Sequence, residues 1–231
     1  MKLSTVRYLM KLVSFHNEHL WPPQIKEMLL KTCTVTPDFI TEAEEKALLD
    51  EIEPHMKRLR YEKSHWDDAI HLYREREQRK WRPENEVVLQ RIRDKSFKKG
   101  DAHLSYIHIL DLHEDGVIKP HIDSVRYCGD VISGVSLLSN SVLRLRHKDD
   151  KEKLFVDMYL PRRSLYRMGE FGRYEFYHEI LGKKESFFNG EVVPRERRIS
   201  VICRDLPHSF VEAQEKIRMT QATNNAADPQ S

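Results

Sequence analysis

The segment RISVICR, residues 198–204, has charged or hydroxyl side chains at 198, 200 and 204 and apolar side chains at 199, 201, 202 and 203. In a β-strand successive side chains point to opposite faces, so Arg198, Ser200 and Arg204 share one face of a predicted strand and apolar residues form the other. Guanidinium groups that point into a β core need anions, because an unpaired buried charge is costly. The segment therefore predicts a buried strand whose polar face holds a negatively charged ligand. An exposed basic edge strand is the alternative.

Short runs rich in β-branched and aromatic residues fill most of the chain after residue 103. Turns with charged residues or glycine separate them, as at 114–116, 148–151 and 169–172. This order predicts an α+β, mainly β fold: a sandwich or jelly roll with helices packed on one side. The predicted strands are 104–112, 118–123, 131–138, 142–147, 154–160, 165–168, 174–178 and 197–204.

Two amphipathic helices are predicted before these strands. Thr41 and Glu44 form a capping-box signature at the start of the first helix, and Pro54 is expected to kink or end it. The second helix is predicted over 84–97, and a shorter helical stretch over 25–31.

Length and composition together predict a single domain with a well-buried core and terminal extensions. The 231 residues carry a formal net charge of +2, and no apolar run reaches the length of a membrane span. The computed pI of about 8.3 neither suggests nor excludes nucleic acid binding. Three widely spaced cysteines, without zinc-site spacing, indicate a reducing compartment and buried, inert thiols.

Metal-binding side chains lie two residues apart in KPHID, residues 119–123. With 12 His and 37 acidic residues in 231, chance gives about two His-x-Asp/Glu spacings, and this chain has five. His65/Asp67 has charged, helix-like surroundings, where positions i and i+2 do not share a face. Only His121/Asp123 lies on a predicted strand of the β region, where the two side chains point together. Of the other pairs, His147/Asp149 lies in a charged turn, His113/Asp115 at a predicted hairpin tip and His16/Glu18 near the N-terminus.

A third metal ligand is expected from a later strand, and His178 ends the predicted strand 174–178. Two imidazoles and one carboxylate on one face form a ligand set for non-haem iron. A dicarboxylate such as 2-oxoglutarate would supply the anion that strand 198–204 requires, with its far carboxylate paired to arginine. Taken alone, His178 is better explained as a strand-end imidazole that binds the backbone.

The combination of His-x-Asp, a distant His and two arginines six residues apart resembles the AlkB family of Fe(II)/2-oxoglutarate dioxygenases. The resemblance covers 35–207 and implies a double-stranded β-helix core, jelly-roll and cupin-like, with flanking N-terminal helices. It also implies that 2-oxoglutarate and O2 are co-substrates, that succinate is released, and that a substrate C–H bond is oxidised. Several segments resemble a mitochondrial member of this family: 61–68, 118–124, 136–139, 173–181, 185–188 and 197–204.

Carried over residue by residue, the resemblance assigns roles within the predicted site. Arg198 would pair with the distal carboxylate of 2-oxoglutarate, Arg204 would lie near its other end, and Tyr166 would donate a hydroxyl group. The expected iron ligands and catalytic residues are His121, Asp123 and His178. The expected cofactor-binding residues are Tyr166, Arg198, Ser200 and Arg204.

The chain also departs from the nucleobase-demethylating members of the family. Leu110 and Leu112 stand where those proteins carry Asn and Tyr, and Ser200 and Ile202 stand where they carry Asn and Thr. The resemblance further implies a member that lacks the nucleotide-recognition lid, so that the iron pocket is open. Base flipping needs a snug pocket with stacking groups, which argues against double-stranded DNA as substrate.

The expected substrate is a macromolecule, with hydroxylation of a protein side chain as the main interpretation. N-demethylation of mitochondrial RNA is the alternative, in line with the basic and aromatic residues of 57–82. That segment is also compatible with a solvated charged face whose aromatic residues pack inward. A third interpretation is an iron-binding regulatory protein with little turnover, in the programmed necrosis and fatty-acid metabolism that the resemblance suggests.

The first 17 residues are basic and contain no Asp or Glu. Leu3, Val6, Met10 and Val13 would lie on one side of a helix, which is typical of a mitochondrial presequence. An ordinary N-terminal helix is the alternative. The resemblance to a mitochondrial member of the family favours the presequence, and it implies a mitochondrial, matrix protein; the oligomeric state stays open. The expected organisation is 1–32, leader and N-terminal extension; 33–207, dioxygenase domain; 208–231, disordered tail.

Overall fold

The computed structural model describes residues 12–213, 216 and 219. The predicted leader helix falls outside these residues except at its end, where Val13 lies in a strand rather than a helix. Residues 208–213 are helical, and most of the predicted disordered tail lies outside the described residues. Within the described part, no helix is long and apolar enough to cross a membrane.

Strands dominate the described part of the chain, with four α-helices of defined bounds, the helical residues 208–213 and one 3-10 turn, Glu18–Leu20. The helices are α1 (Pro23–Thr32), α2 (Glu42–Met56), α3 (Pro83–Ser96) and α4 (Glu170–Glu175). The strands are β1 (Val13–Phe15), β2 (Cys33–Thr36), β3 (Glu62–Ser64), β4 (Ile70–Gln78), β5 (Ile107–His121), β6 (Val131–Leu137), β7 (Ser141–His147), β8 (Phe155–Leu160), β9 (Leu165–Gly169), β10 (Phe176–Ile180), β11 (Phe187–Phe188), β12 (Glu191–Val192) and β13 (Arg198–Arg204).

Eleven strands form one curled antiparallel sheet in the order β1-β8-β7-β10-β5-β13-β6-β9-β2, with β3 and β4 attached beside β5. The first half of β5 pairs with β13, and its last residues pair with β10 on the same side. Strand β5 therefore belongs to both halves of the sheet. The two halves face each other as in a jelly roll, which confirms the predicted fold class.

A bend in β5 allows it to pass from one half to the other. Opposite β4, the pairing moves from Tyr73↔Leu112 to His71↔Val117, so that one residue of β4 faces four of β5. Gly116 lies in this bulge, and a Cβ atom there would lie 2.7 Å from the carbonyl oxygen of Leu72. Because the bulge absorbs the extra residues, the predicted hairpin tip at 114–116 is wrong, and 107–121 is one strand.

Two apolar layers cover the two faces of the larger half of the sheet. Helices α2 and α3 pack on its outer face, where Ile199, Val201 and Cys203 of β13 lie among Leu48, Ile52 and Leu89. The opposite face looks into the roll, where Leu110 and Ile202 meet Leu143 and Leu160 of the other half. The predicted division of β13 into an apolar face and an inward polar face is confirmed.

The helices begin close to their predicted positions. Thr41 and Glu44 form the predicted capping box of α2, with Oγ1 of Thr41 accepting from the Glu44 amide at 3.2 Å. Helix α2 continues through Pro54 and ends at Met56, because a proline in the last turn disturbs few helical hydrogen bonds.

Two segments differ from the sequence-based expectation. Residues 57–82, interpreted as helix-like around His65, contain strands β3 and β4, because β4 pairs along β5 and β3 pairs with β4. Residues 169–172, interpreted as a turn, lead into α4. The three cysteines are buried and unpaired as expected, and burial raises the pKa of Cys33 and of Cys203 to about 12.

Candidate active site

Two histidines distant in sequence become neighbours through strand pairing. His121 ends β5 and His178 lies in the middle of β10, and these two residues are register partners. Directly opposed residues of antiparallel strands have adjacent side chains, and the two ring centroids lie 4.2 Å apart. The sheet topology therefore places the later histidine beside His121, as the ligand-set argument required.

Asp123 completes the group although it lies just beyond the end of β5. Its Oδ1 atom is 3.2 Å from Nε2 of His121 and 3.7 Å from Nε2 of His178. Among the described residues, these three form the group of His, Cys, Asp or Glu side chains that could hold a metal ion, with ligand atoms within 4.8 Å of one another. The rival pair His65/Asp67 bonds to itself at 2.7 Å in the turn between β3 and β4, and is not part of such a group.

The protonation states of His178 and Asp123 suit metal binding. Burial, with the neighbouring His121 adding to it, lowers the pKa of His178 to about 3, so this imidazole is neutral near pH 7. Burial opposes ionisation of Asp123, but the charge of Arg204 and the hydrogen bond from His121 outweigh it and hold the pKa of this carboxyl well below its usual range. Nδ1 of His121 donates to the carbonyl oxygen of Lys119 at 2.8 Å, which leaves Nε2 directed at Asp123. A histidine ligand is commonly oriented by such a second hydrogen bond.

A buried cation lies deeper in the same cavity. Arg198 is buried, its Nε donates to Oγ of Ser136 at 2.9 Å, and its Nη2 has no partner among the described residues. Beside it, Oη of Tyr166 and Oγ of Ser200 lie 2.7 Å apart. The cavity connects these three predicted cofactor residues to the His121, Asp123 and His178 group. A guanidinium that lacks a carboxylate in such a place is the feature expected of a site for an anionic ligand.

Arg204, predicted to lie near the other end of that ligand, reaches the metal-capable group directly. Its Nε and Nη2 donate to Oδ2 of Asp123 at 3.3 and 3.2 Å. Its Nη1 lies 2.8 Å from Nδ1 of His108, and Nε2 of His108 lies 2.8 Å from Oε2 of Glu75. The sequence analysis missed His108 and Glu75, since an isolated His and Glu on different strands carry no spacing signal.

Two further buried arginines were also missed. Arg195 donates to the carbonyl oxygen of Gly116 at 3.3 Å, while its Nε and Nη1 have no partner among the described residues. Burial and the nearby charge of Arg198 lower its pKa to about 10. Arg173 donates to Sγ of Cys128 at 3.2 Å and also has two unpartnered nitrogens within the described part of the chain. Only the clustering of arginines at 195–198 could have drawn attention to Arg195.

An open cleft leads from the metal-capable group to the surface. Its volume is about 790 Å³, and His121, Asp123 and Arg204 form its floor. Trp66 and Tyr127 line it with side chains that are 83% and 64% exposed. The group can therefore be reached by a large molecule from outside.

Solved structures with the same fold are oxygenases. A Pseudomonas putida prolyl-4-hydroxylase aligns with a TM-score of 0.55 at 12% identity, over 78% of this chain and 95% of that one. A Trichoplax adhaerens prolyl hydroxylase, solved with a hypoxia inducible factor peptide fragment, aligns with a TM-score of 0.55 at 10% identity, over 90% of this chain and 95% of that one. OsALKBH1 aligns with a TM-score of 0.55 at 12% identity, over 75% of this chain and 97% of that one. Such low identities show the fold alone, which is the double-stranded β-helix of 2-oxoglutarate and Fe(II) oxygenases.

Sequence relatives define the family. A Mus musculus protein, alpha-ketoglutarate-dependent dioxygenase alkB homolog 7, mitochondrial, is 49% identical over 176 residues, 76% of this chain and 79% of the relative. The Bos taurus protein of the same name is 46% identical over 182 residues, 79% of this chain and 82% of the relative. No protein-family model matches the chain.

The chain therefore belongs to the AlkB family of alpha-ketoglutarate-dependent dioxygenases, and the two relatives place it with homolog 7. It is an oxidoreductase whose cofactor is Fe(II) and whose co-substrates are 2-oxoglutarate, also called alpha-ketoglutarate, and O2. The names of both relatives support a mitochondrial location.

Proposed function

We propose that His121, Asp123 and His178 hold Fe(II), and that Arg198 pairs with the distal carboxylate of 2-oxoglutarate in the same cavity. The observation that supports this most strongly is the buried Arg198, whose Nη2 has no partner within the described part of the chain and whose cavity also holds the three metal-capable side chains. A carboxylate there would remove the cost of an unpaired buried cation.

The chain's own residues prepare the site for these groups. Bound Fe(II) would supply the activation of O2 that oxidises a C–H bond while 2-oxoglutarate is converted to succinate and CO2. Because His178 is neutral near pH 7, its imidazole can bind a metal ion without first losing a proton. Arg204 holds Oδ2 of Asp123, so that Oδ1 faces the histidines. Ser200 and Tyr166 place hydroxyl groups beside Arg198, where they can hydrogen-bond a carboxylate.

Turnover of the co-substrate tests this assignment. We expect purified protein with Fe(II), O2 and 2-oxoglutarate to release succinate, and Asp123→Ala to release none. Arg79→Ala is a suitable control, because Arg79 contacts Ser105 and Tyr106 on the surface and not the cavity. Unchanged succinate release by Asp123→Ala would contradict the proposed iron site.

The proposed macromolecular substrate is a protein segment, one of whose side chains enters the open cleft and is hydroxylated. Four carboxylates line the described part of the cleft: Asp67, Glu75, Glu77 and Asp123. Its guanidinium and ammonium groups are those of Arg76 and Arg204 alone. Nucleic acid backbones are bound largely through Lys and Arg. The excess of carboxylates therefore favours a peptide over a polyphosphate chain.

Mitochondrial RNA is a second candidate, supported by the exposed rings of Trp66 and Tyr127. Unstacked bases bind aromatic faces with about 1 to 3 kcal/mol per base, and a methyl group on such a base could reach the floor of the cleft. Mass spectrometry of mitochondrial protein and RNA from cells with the wild type or Asp123→Ala decides between them. Added oxygen on a peptide supports the first candidate, and a retained N-methyl group in the variant supports the second.

A role in programmed necrosis and fatty-acid metabolism, which the resemblance implies, is a further proposal. If turnover carries that role, Asp123→Ala will fail to rescue cells that lack the gene. Rescue by this variant would instead support an iron-binding regulatory protein that acts through a partner.

We also propose that the protein lies in the matrix and that the leader ends before residue 12. Trp21 is buried and stacks with Phe176 at 6.2 Å, and β1 pairs with β8, so cleavage within 13–32 would remove part of the core. The mass of the mature mitochondrial protein tests the cleavage position, and protease protection in mitochondria with ruptured outer membranes tests the compartment.

A further inference from the structure

A chain of four side chains connects the metal-capable group to the cleft. It begins at Oδ2 of Asp123, which accepts from Nε and Nη2 of Arg204 at 3.3 and 3.2 Å. Nη1 of Arg204 then meets Nδ1 of His108 at 2.8 Å, and Nε2 of His108 meets Oε2 of Glu75 at 2.8 Å. Three adjacent strands, β13, β5 and β4, carry the last three residues, so the sheet itself sets their spacing.

The direction of every hydrogen bond in this chain is determined. A guanidinium can only donate, so Nδ1 of His108 accepts and carries no proton. In the neutral imidazole the proton must then lie on Nε2, which donates to Oε2 of Glu75. The hydrogen bond from His108 is the main cause that lowers the pKa of Glu75, in agreement with an ionised acceptor. Glu75 thus selects the tautomer of His108 that can receive Arg204.

Arg204 is held on both sides by this arrangement. Asp123 binds its Nε and Nη2, and His108 binds its Nη1, so each of its three nitrogens has a partner. Without an acceptor at the position of Nδ1, the guanidinium would be free to rotate away from Oδ2 of Asp123. Partners behind a metal ligand orient it, and their loss commonly lowers metal affinity by about 10- to 100-fold.

We propose that Glu75 and His108 are positioning residues: they fix the guanidinium of Arg204, which in turn orients the Asp123 carboxylate for the metal. This inference rests on the proposed metal site. It assigns a function to two residues of the cleft wall that neither bind the metal nor hold the distal carboxylate of 2-oxoglutarate.

Metal affinity measured without 2-oxoglutarate tests the inference, with Mn²⁺ as the probe and free Mn²⁺ counted by electron paramagnetic resonance. Two amides of similar polarity replace the imidazole. In His108→Asn the amide oxygen can occupy the position of Nδ1 and accept from Arg204, whereas in His108→Gln it lies near the position of Nε2. We expect His108→Asn to keep the Mn²⁺ affinity within about threefold, and His108→Gln to lose about 10-fold or more.

Glu75→Gln is expected to lie between these two variants, because an amide can pair with either tautomer of His108. The matched control is His16→Gln. His16 also pairs with a carboxylate at 2.7 Å, that of Asp157, but it lies on the β1 and β8 edge of the sheet. Its Mn²⁺ affinity should equal that of the wild type.

Steady-state kinetics give an independent readout. If the two residues act through Asp123, His108→Gln will need more Fe(II) for half-maximal succinate release and will keep most of its kcat at saturating Fe(II). Equal Mn²⁺ affinities for His108→Asn and His108→Gln would overturn the inference while the metal site stands. Unchanged affinity in Asp123→Ala would instead overturn the proposed metal site, so the two failures are distinguishable.

Discussion

At the scale of single residues, the site depends on charges that the protein does not neutralise itself. Arg74, Arg144 and Arg197 each pair with a buried carboxylate. Among the described residues, Arg198 has a hydroxyl partner, and its Nη2 has none. A buried cation without a counter-charge destabilises the fold unless an anionic ligand completes it. We therefore infer that Arg198 serves ligand binding rather than stability.

Replacement of Arg198 by Met should separate recognition of 2-oxoglutarate from the chemistry at the metal. Each hydrogen bond to a charged group contributes about 1.5 to 3 kcal/mol, so we expect the Kd for 2-oxoglutarate to rise by roughly 10- to 150-fold. The analogue 2-oxopentanoate has the same chain without the distal carboxylate, and its affinity should hardly change. Calorimetric titration of both compounds into the Mn²⁺-loaded protein measures this. An equal loss for both compounds would show that Arg198 only supports the fold.

At the scale of secondary-structure elements, the bulge in β5 determines where the site is placed. In Gly116→Ala the new Cβ atom would meet two backbone carbonyl oxygens, those of Leu72 at 2.7 Å and His71 at 2.9 Å. Backbone atoms cannot move aside cheaply, so β4 and β5 must separate locally, at a cost of about 1 to 3 kcal/mol. Because His121 ends the same strand, we also expect weaker Mn²⁺ binding.

The control for Gly116→Ala is a variant that is destabilised elsewhere. Leu48→Ala opens a cavity beneath α2, where Leu48 is fully buried, and should cost about 2 to 5 kcal/mol. Urea unfolding gives both stabilities, and Mn²⁺ titration gives both affinities. Equal affinity losses in the two variants would mean that general destabilisation, and not the bulge, weakens the site.

The start of α2 provides a stability term that depends on pH. Glu44 receives two hydrogen bonds from Arg91 and one from the Thr41 amide, and the bonds from Arg91 are the main cause that lowers its pKa. A carboxyl whose pKa is lowered by folding stabilises the protein above its ordinary pKa of about 4.5, and this contribution is lost as the pH falls through the lowered value. Glu44→Gln should therefore cost about 1 kcal/mol at pH 7 and progressively less below pH 4.5.

Urea unfolding at pH 7 and at several acidic pH values checks this expectation. Glu42→Gln is the comparison, because Glu42 lies in the same first turn with an 86% exposed side chain. It should show little change at any pH. A cost of Glu44→Gln that stayed constant with pH would indicate a loss of packing rather than of charge.

The elements also show which parts of the fold could be predicted from sequence. Strand β13 was recognisable because Arg198, Ser200 and Arg204 recur at even spacing on one face, and Thr41 and Glu44 marked the start of α2 because capping is local. Strand β4 was missed, since its run of charged residues pairs with β5 in a way that local sequence does not record. Likewise, the chain from Asp123 to Glu75 crosses three strands, and only the sheet order brings those residues together.

At the scale of the whole molecule, the curled sheet separates two tasks. Its closed interior holds Arg198 and the expected position of 2-oxoglutarate, and its open end exposes His121 and Asp123 to the cleft. The proposed iron and 2-oxoglutarate residues come from four strands, β5, β9, β10 and β13, and from the segment after β5. They share one cavity because β5 joins both halves. Co-substrate binding and substrate choice should therefore be separable by mutation.

The exposed rings of the cleft offer the most direct test of that separation. Trp66→Ala and Tyr127→Ala remove side chains that are 83% and 64% exposed, so stability should change by less than about 0.5 kcal/mol. Basal succinate release without added substrate should also stay unchanged, because neither residue lines the inner cavity. Stimulation of succinate release by total mitochondrial protein, or by total mitochondrial RNA, should fall about tenfold in each variant.

The matched control is Phe187→Ala, an aromatic residue that is 45% exposed on the β11 and β12 hairpin and does not line the cleft. If the cleft variants lose stimulation by the protein fraction, the substrate is a protein, and if they lose stimulation by the RNA fraction, it is an RNA. The reason is that exposed aromatic rings affect only the molecule that contacts them. If both cleft variants are stimulated as strongly as Phe187→Ala, the substrate does not enter through this opening. If basal release falls together with stimulated release, the rings support the site itself, and the two tasks are not separate.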